Sequence, residues 1–559
     1  MPAVSESQLL TVVVTAHSEG RLLRATLRSL AVAVEELGDR AGGAELVIVC
    51  DRADARTRAE AARWASSGDM PCPVRVIETD LGDPGAARDA GVARARGGVV
   101  AFLDGDDLIS AGFLRDAMQA LARAEGPLVL HPEYVFSFGG RVSLWRTSRR
   151  GEYSALDLVR RNLWPSTAVL TTALARTSPF RRLDADSGFG PEDWTWNLDT
   201  TARGAVHDVV PGSLLCYRVR RTGGINNRND SALLPAFDLR GLLDALPPHP
   251  APPARRGGRA LLYRLALPLG RSVTRWMSDD ARGALSRRLR RGSRERPPEA
   301  VVAAISQAGE IDPSIARDAS RLDDLEVIVE RDDGYGASLV AAVGELPGDA
   351  VIVIAGPGDA AAAAAAAYLR DLGSSAPAVG LSVPAGATTS GGLPGFREIA
   401  PAELWARLDA RSRSRYIAQL VVLTAPRAVL AVESDEVVGA LADYGPQLGS
   451  VTRLGATFLG LTRDEHGRPR SPLADDSQRR YLDVTRVTAP DAALAEVAAD
   501  VLGCELEEII VNPLPTDDLE SRSAFARVAE ELLSAPAAGG SPRPSAADGR
   551  TPPATSPAR

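Results

Sequence analysis

Along the first 240 positions, apolar residues fall in short β-branched runs separated by stretches whose apolar positions recur every three to four residues. The runs at 10–15, 45–50, 74–78 and 99–103 have strand length, and the stretches at 21–37 and 85–96 have helical period. Strands alternating with helices predict βαβ units around a mainly parallel sheet.

A second pattern of the same kind runs from 300 to 515, with apolar runs at 325–329, 350–355, 378–382, 420–423 and 428–432. The alanines from Ala360 to Ala367 predict a strong helix, with Asp359 placed as its N-cap. Between the two patterns, Pro247-Pro248-His249-Pro250-Ala251-Pro252-Pro253 can continue neither a helix nor a central strand. The Arg-rich residues 255–296 follow, and within them Leu261, Leu262, Leu265, Leu269, Val273 and Trp276 recur at helical spacing. Such a basic amphipathic helix can lie on an anionic membrane surface or dock on the neighbouring domains with its arginines in solvent; both readings stand. Residues 540–559, rich in Pro, Ser, Ala and Gly, have too few apolar positions to form a core. The expected organisation is an α/β domain at 1–240, a Pro/Arg-rich linker at 241–299, a Rossmann-like α/β domain at 300–515, and a helix and tail at 516–559.

Composition narrows the function classes. A chain of 559 residues exceeds one ordinary core, and its 45% hydrophobic and 24% charged content is globular. A net charge of −8, with all 64 basic residues arginine, argues against a general nucleic-acid binder. Cys50, Cys72, Cys216 and Cys504 form no C-x-x-C pair, which predicts a reducing compartment without a zinc knuckle or disulfide framework. No apolar run reaches membrane-spanning length, and the first ten residues lack a basic signal region, so a cytoplasmic protein is expected.

Four features carry chemistry. The first run ends in Thr15-Ala16-His17-Ser18-Glu19 and the second in Cys50-Asp51. In an open α/β sheet, ligands gather beyond the carboxyl ends of strands, so these residues border a candidate pocket, although each alone reads equally as an ordinary strand end. The fourth run delivers Asp104-Gly105-Asp106-Asp107. Adjacent carboxylates repel and are costly without a counter-charge, which Mg²⁺ or Mn²⁺ can supply through oxygen ligands, with Gly105 letting a ligand approach. The alternative is an acidic turn before a helix starting near Ser110. Lastly, Gly188-Phe189-Gly190-Pro191-Glu192-Asp193-Trp194-Thr195-Trp196 sets an acid pair beside two indoles. Carboxylates can accept a hydroxyl proton and aromatic faces can stack on sugar rings, making Trp194 and Trp164 candidate acceptor contacts. Equally, this is a helix start with its tryptophans in the core.

In this order and spacing, residues 9–240 resemble the family 2 glycosyltransferases, whose catalytic domain has the GT-A fold. The resemblance rests on V-V-V-T-A-H-S-E-G (12–20), D-R-A-D-A-R-T (51–57), G-D-P-G-A-A-R-D-A-G (82–91), F-L-D-G-D-D (102–107) and G-P-E-D-W (190–194). It implies that Thr15, His17, Glu19, Asp51, Arg88, Asp104 and Asp106 bind the nucleotide sugar. It also implies that Asp106, with Asp104, holds Mg²⁺ or Mn²⁺, and that Asp193, seconded by Glu192, is the base that deprotonates the acceptor. An inverting, non-processive transfer, UDP-linked donor to glycan or lipid-linked acceptor, follows as the expectation, serving cell-surface polysaccharide assembly. Departures lie at Thr15, Ser18 and Asp89, where the family often has Pro, Asn and Asn. His207 and the arginines at 218–221 fall where the family's donor-covering loop usually lies and can meet the diphosphate or form a surface patch.

Residues 300–515 bear a weaker resemblance to the N-terminal half of GT-B glycosyltransferases, carried by A-V-E-S-D-E-V-V-G-A-L-A-D-Y-G (431–445) and R-D-E-H-G-R-P (463–469). Too few residues follow for a second half, which implies a non-catalytic domain that binds the acceptor or a protein. Gly356-Pro357-Gly358 before the alanine helix reads as an anion loop or a plain turn. The competing function is an inactive glycan-binding or scaffold protein built from two transferase-like folds. Peripheral contact with the inner membrane surface and homo-oligomerisation are compatible with either.

Overall fold

The computed structural model describes residues 9–38, 43–140, 142–183, 189–220, 233–246, 297–320, 327–328, 334–356, 359–372, 377–384, 395–432, 434–457, 462–463, 469–470, 486–489, 495–496 and 509–511. The basic stretch 255–296, the loop residues Pro357 and Gly358, and the tail 540–559 lie outside the described residues. The chain divides into two compact units, Met1–Val340 and Ala341–Arg559.

The first unit is α/β with a ten-stranded mixed sheet. Its strands are β1 (Leu10–Ala16), β2 (Ala44–Asp51), β3 (Val74–Thr79), β4 (Val99–Asp104), β5 (Leu108–Ile109), β6 (Leu128–Gly139), β7 (Ser143–Arg146), β8 (Ala168–Thr171), β9 (Val206–Val219) and β10 (Val327–Ile328). They run in the order β10-β7-β6-β8-β4-β1-β2-β3, with β9 beside β5 and β6. The half from β4 to β3 is parallel, as the alternating pattern predicts. Beyond β4 the sheet turns antiparallel through β8, β6 and β7, giving the mixed sheet of a GT-A-like Rossmann fold.

Alternation along β1 sets the layers. Val12 and Val14 join Leu23, Leu27 and Leu30 of the helix Leu22–Glu35 in one core layer, and Val13 joins Ala87 and Val92 of the helix Pro84–Arg94 in the other. The second helix packs so closely on β1 that a methyl at Gly91 would lie 2.3 Å from a Val13 methyl.

The helices Glu299–Ile311 and Pro313–Ala319 fall where the apolar pattern opens the second domain, yet they belong to the first. Val301, Ile305, Ala308 and Ile315 are buried in one cluster with Leu108, Tyr134, Phe136, Phe138 and Leu144 of the first sheet. Likewise β10, in the run expected at 325–329, pairs with β7. Apolar periodicity finds elements but does not say which side of a linker they pack on.

The second unit has a parallel seven-stranded sheet of β11 (Val351–Ala355), β12 (Ala378–Ser382), β13 (Phe396–Glu398), β14 (Ala428–Val432), β15 (Arg453–Thr457), β18 (Arg486–Ala489) and β19 (Ile509–Val511). A separate hairpin joins β16 (Thr462–Arg463) to β17 (Pro469–Arg470). The order β13-β12-β11-β14-β15-β18-β19 reverses direction between β11 and β14, as in a doubly wound Rossmann-like sheet. The alanine helix spans Asp359–Leu372 and buries Ala361, Ala364, Ala365 and Tyr368 against β11 and β14. Residues 420–423, an apolar run that suits a strand, instead end the helix Ala410–Thr424. A run of four cannot distinguish a buried strand from the buried end of a helix. Among the described residues no helix is long and apolar enough to cross a membrane.

Candidate functional site

Three parallel strands bring carboxylates to one edge of the first sheet. Thr15 pairs in register with Asp104, and β2 ends at Asp51 on the other side of β1. The Thr15 hydroxyl donates to Asp104 Oδ1 at 3.0 Å, and the Ser166 hydroxyl donates to Asp104 Oδ2 at 2.8 Å. Gly105 is expected to let a ligand approach. What approaches it is the protein's own backbone, since a Cβ there would lie 2.7 Å from the Thr15 carbonyl oxygen.

Arg88 joins this edge to the second acid pair. Asp83 caps the helix Pro84–Arg94 by accepting from the Ala86 N–H, and Pro84 suits the first turn. That start places Arg88 at 2% exposure, above the Phe180 ring at 5.3 Å. Its guanidinium donates to Asp104 Oδ1 at 2.7 Å and to Glu192 Oε1 at 2.8 Å. Burial opposes charge on both partners, but Arg88, Ser166 and Thr15 hold the Asp104 carboxyl below its usual range. Burial also works against the guanidinium, yet Asp104 and Glu192 keep it firmly protonated.

Glu192 and Asp193 open the helix Glu192–Ala202, where its N-terminal end favours negative charge. Asp193 Oδ1 accepts from the Trp194 N–H at 2.7 Å. Burial, then the neighbouring Glu192 charge, push the Asp193 carboxyl up to about 7, the range in which a carboxylate can take and return a proton at neutral pH.

The indoles expected to meet an acceptor are core residues. Trp164 is 1% exposed, with His207 and His131 stacked on it at 4.6 and 5.4 Å. Trp194 is 3% exposed and donates to the Leu158 carbonyl. His207 is equally unavailable to a diphosphate, since its ring bonds His131 Nε2 and the Thr200 hydroxyl. Burial lowers both imidazoles, His131 to about 3, so the pair is uncharged. Its partner His131 bonds the Thr167 carbonyl next to Ser166, so this pair bears on the segment that reaches Asp104.

The acidic loop is neutralised by arginine. Arg220 donates from Nε to Asp106 Oδ2 at 2.7 Å and from a terminal nitrogen to Glu19 Oε1 at 2.9 Å. Burial raises the Asp106 carboxyl to about 6 against the pull of Arg220, with Glu19 and Asp104 adding to the rise. Asp107 is buried and raised well above its usual range by burial and by Asp106 and Asp104; it accepts from the Arg218 N–H at 2.8 Å. The Arg218 side chain lies over Phe138 and donates to the Asp106 carbonyl and to Asp312. At the end of β2, Asp51 accepts from the Thr79 hydroxyl and from the Leu81 and Gly82 N–H groups, so it shapes the 79–82 turn. His17 bonds the Asp51 carbonyl, and its N–H donates to Glu19 Oε2.

The structure therefore links Thr15, Arg88, Asp104 and Glu192 in one network beside Asp193, holds Glu19 and Asp106 together on Arg220, and removes Trp164, Trp194 and His207 from any ligand face. Sequence reasoning misses Ser166 and Asp312. A serine before an apolar run carries no signal, and Asp312 reads only as the N-cap of the helix Pro313–Ala319, which it also is. Among the described residues no group of three or more His, Cys, Asp or Glu side chains forms a ready-made metal site. Asp104 has both oxygens engaged by three protein donors and fits a metal poorly. Asp106 and Glu19, sharing one guanidinium, offer a pair of oxygen ligands that suits a divalent ion better.

Among known proteins, the model of the glycosyl transferase family 2 matches residues 11–183. No curated protein matches. A fragment of S. aureus TarS in complex with UDP-GlcNAc is similar at 19% identity and a TM-score of 0.32, covering 42% of this chain and 64% of that one. The longer S. aureus TarS is matched over 37% of its length at 20% identity and a TM-score of 0.31, with 38% of this chain covered. The mannosyltransferase PcManGT from Pyrobaculum calidifontis, in complex with GDP-Man and Mn²⁺, is similar at 15% identity over 58% of this chain and 77% of that one, with a TM-score of 0.28. The chain thus spans less than two thirds of the TarS structures it matches. Residues 11–183 carry a glycosyl transferase family 2 domain, and the remainder of the chain lies outside that match.

Proposed function

We propose that this protein is an inverting, metal-dependent, non-processive glycosyltransferase that moves a sugar from a nucleotide donor, UDP-linked, to a glycan or lipid-linked acceptor in cell-surface polysaccharide assembly. The observation that carries the reading is the Arg88 bridge. One buried guanidinium ties Asp104, at the nucleotide edge, to Glu192, the neighbour of the base Asp193. A protein that only bound glycan would have no need to couple the two.

In this reading Thr15, His17, Glu19 and Asp51 border the nucleotide. Asp104, locked by Arg88, Thr15 and Ser166, faces the ribose. Asp106, with Glu19 beside it, holds Mg²⁺ or Mn²⁺, which when bound would neutralise the leaving diphosphate. Asp193 accepts the acceptor hydroxyl proton as the oxygen attacks the anomeric carbon, and Glu192, fixed on Arg88, keeps the base oriented. The second unit serves as a binding module for the acceptor or a protein. Its strands β11, β12 and β14 end in Ala355, Ser382 and Val432, none of them an acid or base.

A donor screen with Mn²⁺ or Mg²⁺, read by nucleoside diphosphate release and by donor binding, tests the reading. We expect one nucleotide sugar to be bound and turned over in a metal-dependent way. If none is bound or consumed, the transferase reading is wrong.

A further inference from the structure

Six acids crowd the site edge: Glu19, Asp104, Asp106, Asp107, Glu192 and Asp193. Three guanidinium groups answer them, and they differ in how they are held. Arg88 is walled in at 2% exposure on Asp104 and Glu192. The Arg218 side chain, 9% exposed, is sandwiched between Phe138 and Asp312. The Arg220 side chain is 17% exposed, lies just beyond the end of β9, and holds the two carboxylates that best fit a divalent ion, Asp106 and Glu19.

The geometry points to Arg220 as a resident cation that competes with the divalent ion for Asp106 and Glu19. This inference rests on the transferase reading for the presence of a metal and a diphosphate. A guanidinium and a divalent ion against the same pair of carboxylates weaken each other's binding, because each repels the other at a few ångströms in a partly desolvated site. Without donor, the carboxylates keep Arg220 and metal binds weakly. A nucleoside diphosphate brings new negative charge, which gives the displaced guanidinium a partner. Metal and nucleotide then bind each other's form of the protein more tightly, and the coupling is reciprocal.

The test is Mn²⁺ binding to the full chain, followed by electron paramagnetic resonance and calorimetry, first with Mn²⁺ alone and then with UDP. In Arg220→Gln, Mn²⁺ alone should bind about tenfold more tightly than in the wild type, and the further tightening caused by UDP should shrink. Arg220→Lys, which keeps the charge, should stay near the wild type, and Asp106→Asn should abolish the gain seen in Arg220→Gln. Equal or weaker Mn²⁺ binding in Arg220→Gln overturns the inference, and so does a gain that survives Asp106→Asn. Thermal melts show whether either Arg220 variant is misfolded. If Arg220→Gln tightens Mn²⁺ but no nucleotide sugar is ever consumed, the competition stands and the transferase reading falls. Turnover with unchanged Mn²⁺ affinity in that variant keeps the transferase reading and overturns the competition.

Discussion

Both units pack helices on a buried sheet, mixed in the first and parallel in the second, yet their strand ends differ in kind. In the first, β4 runs straight into Asp104 and Asp106, and each of these two is answered by a buried or half-buried arginine. In the second, β11 and β14 end in Ala355 and Val432, and the described ion pairs are looser: Arg397 with Glu345 at 3.3 Å is 58% and 62% exposed, and Arg413 with Glu436, after β14, is 3.8 Å apart. The same layered architecture can thus carry its charges in loose outlying pairs or pack them tightly at a strand end. Loading costs stability unless each carboxylate is paired, so the charged edge marks where chemistry has to be done.

The largest effect that would sharpen this contrast is on Asp193. Asp193→Asn should lower transfer by about 10²–10⁴-fold with donor binding unchanged, measured by single-turnover kinetics beside calorimetry. Full activity in that variant would remove the base assignment. The wild-type rate should also rise with pH through the region around 7, because burial and Glu192 raise the carboxyl and only its ionised form accepts a proton. A flat rate across that region would count against it.

Next in size is Arg88→Met, which leaves the half-buried Asp104 and Glu192 without their counter-charge. A loss of about 3–5 kcal/mol is expected in chemical denaturation of the first unit. Gly105→Ala should weaken donor binding about tenfold, since even a methyl forces the acidic loop off the Thr15 carbonyl. The smallest effect belongs to the second unit. Arg397→Ala should change stability by no more than about 0.5 kcal/mol, because an ion pair that exposed is screened by water. A large loss there would break the contrast between the two edges.

The parts of this site legible in the sequence are those fixed by local order. Asp104 and Asp106 follow an apolar run, Glu192 and Asp193 open a helix, and both readings hold at the level of the backbone. The partners are not legible, because they come from far along the chain: Arg88 meets Glu192 across 104 residues, and Arg220 meets Glu19 across 201. Local pattern also misleads. Indoles beside an acid pair suggest a sugar platform, but Trp194 points its N–H at Leu158 and its face into the core, where a large apolar surface is worth more. Three adjacent carboxylates call for a counter-charge, which suggests a metal, and arginine supplies much of that charge.

The helices Glu299–Ile311 and Pro313–Ala319 finish a core begun by Phe136, Phe138 and Leu144. They also bring Asp312 to Arg218 and Asp318 to the Gly139 N–H. Roughly a hundred residues separate the end of β9 from the last of these helices, so at about 5–20 residues per second a ribosome needs several seconds to make them. During that interval the aromatic face of β6 lacks its cover. The first unit, Met1–Val340, then completes its core only late in synthesis, and a nascent chain arrested shortly after β9 should be far more sensitive to protease than one arrested beyond Val340.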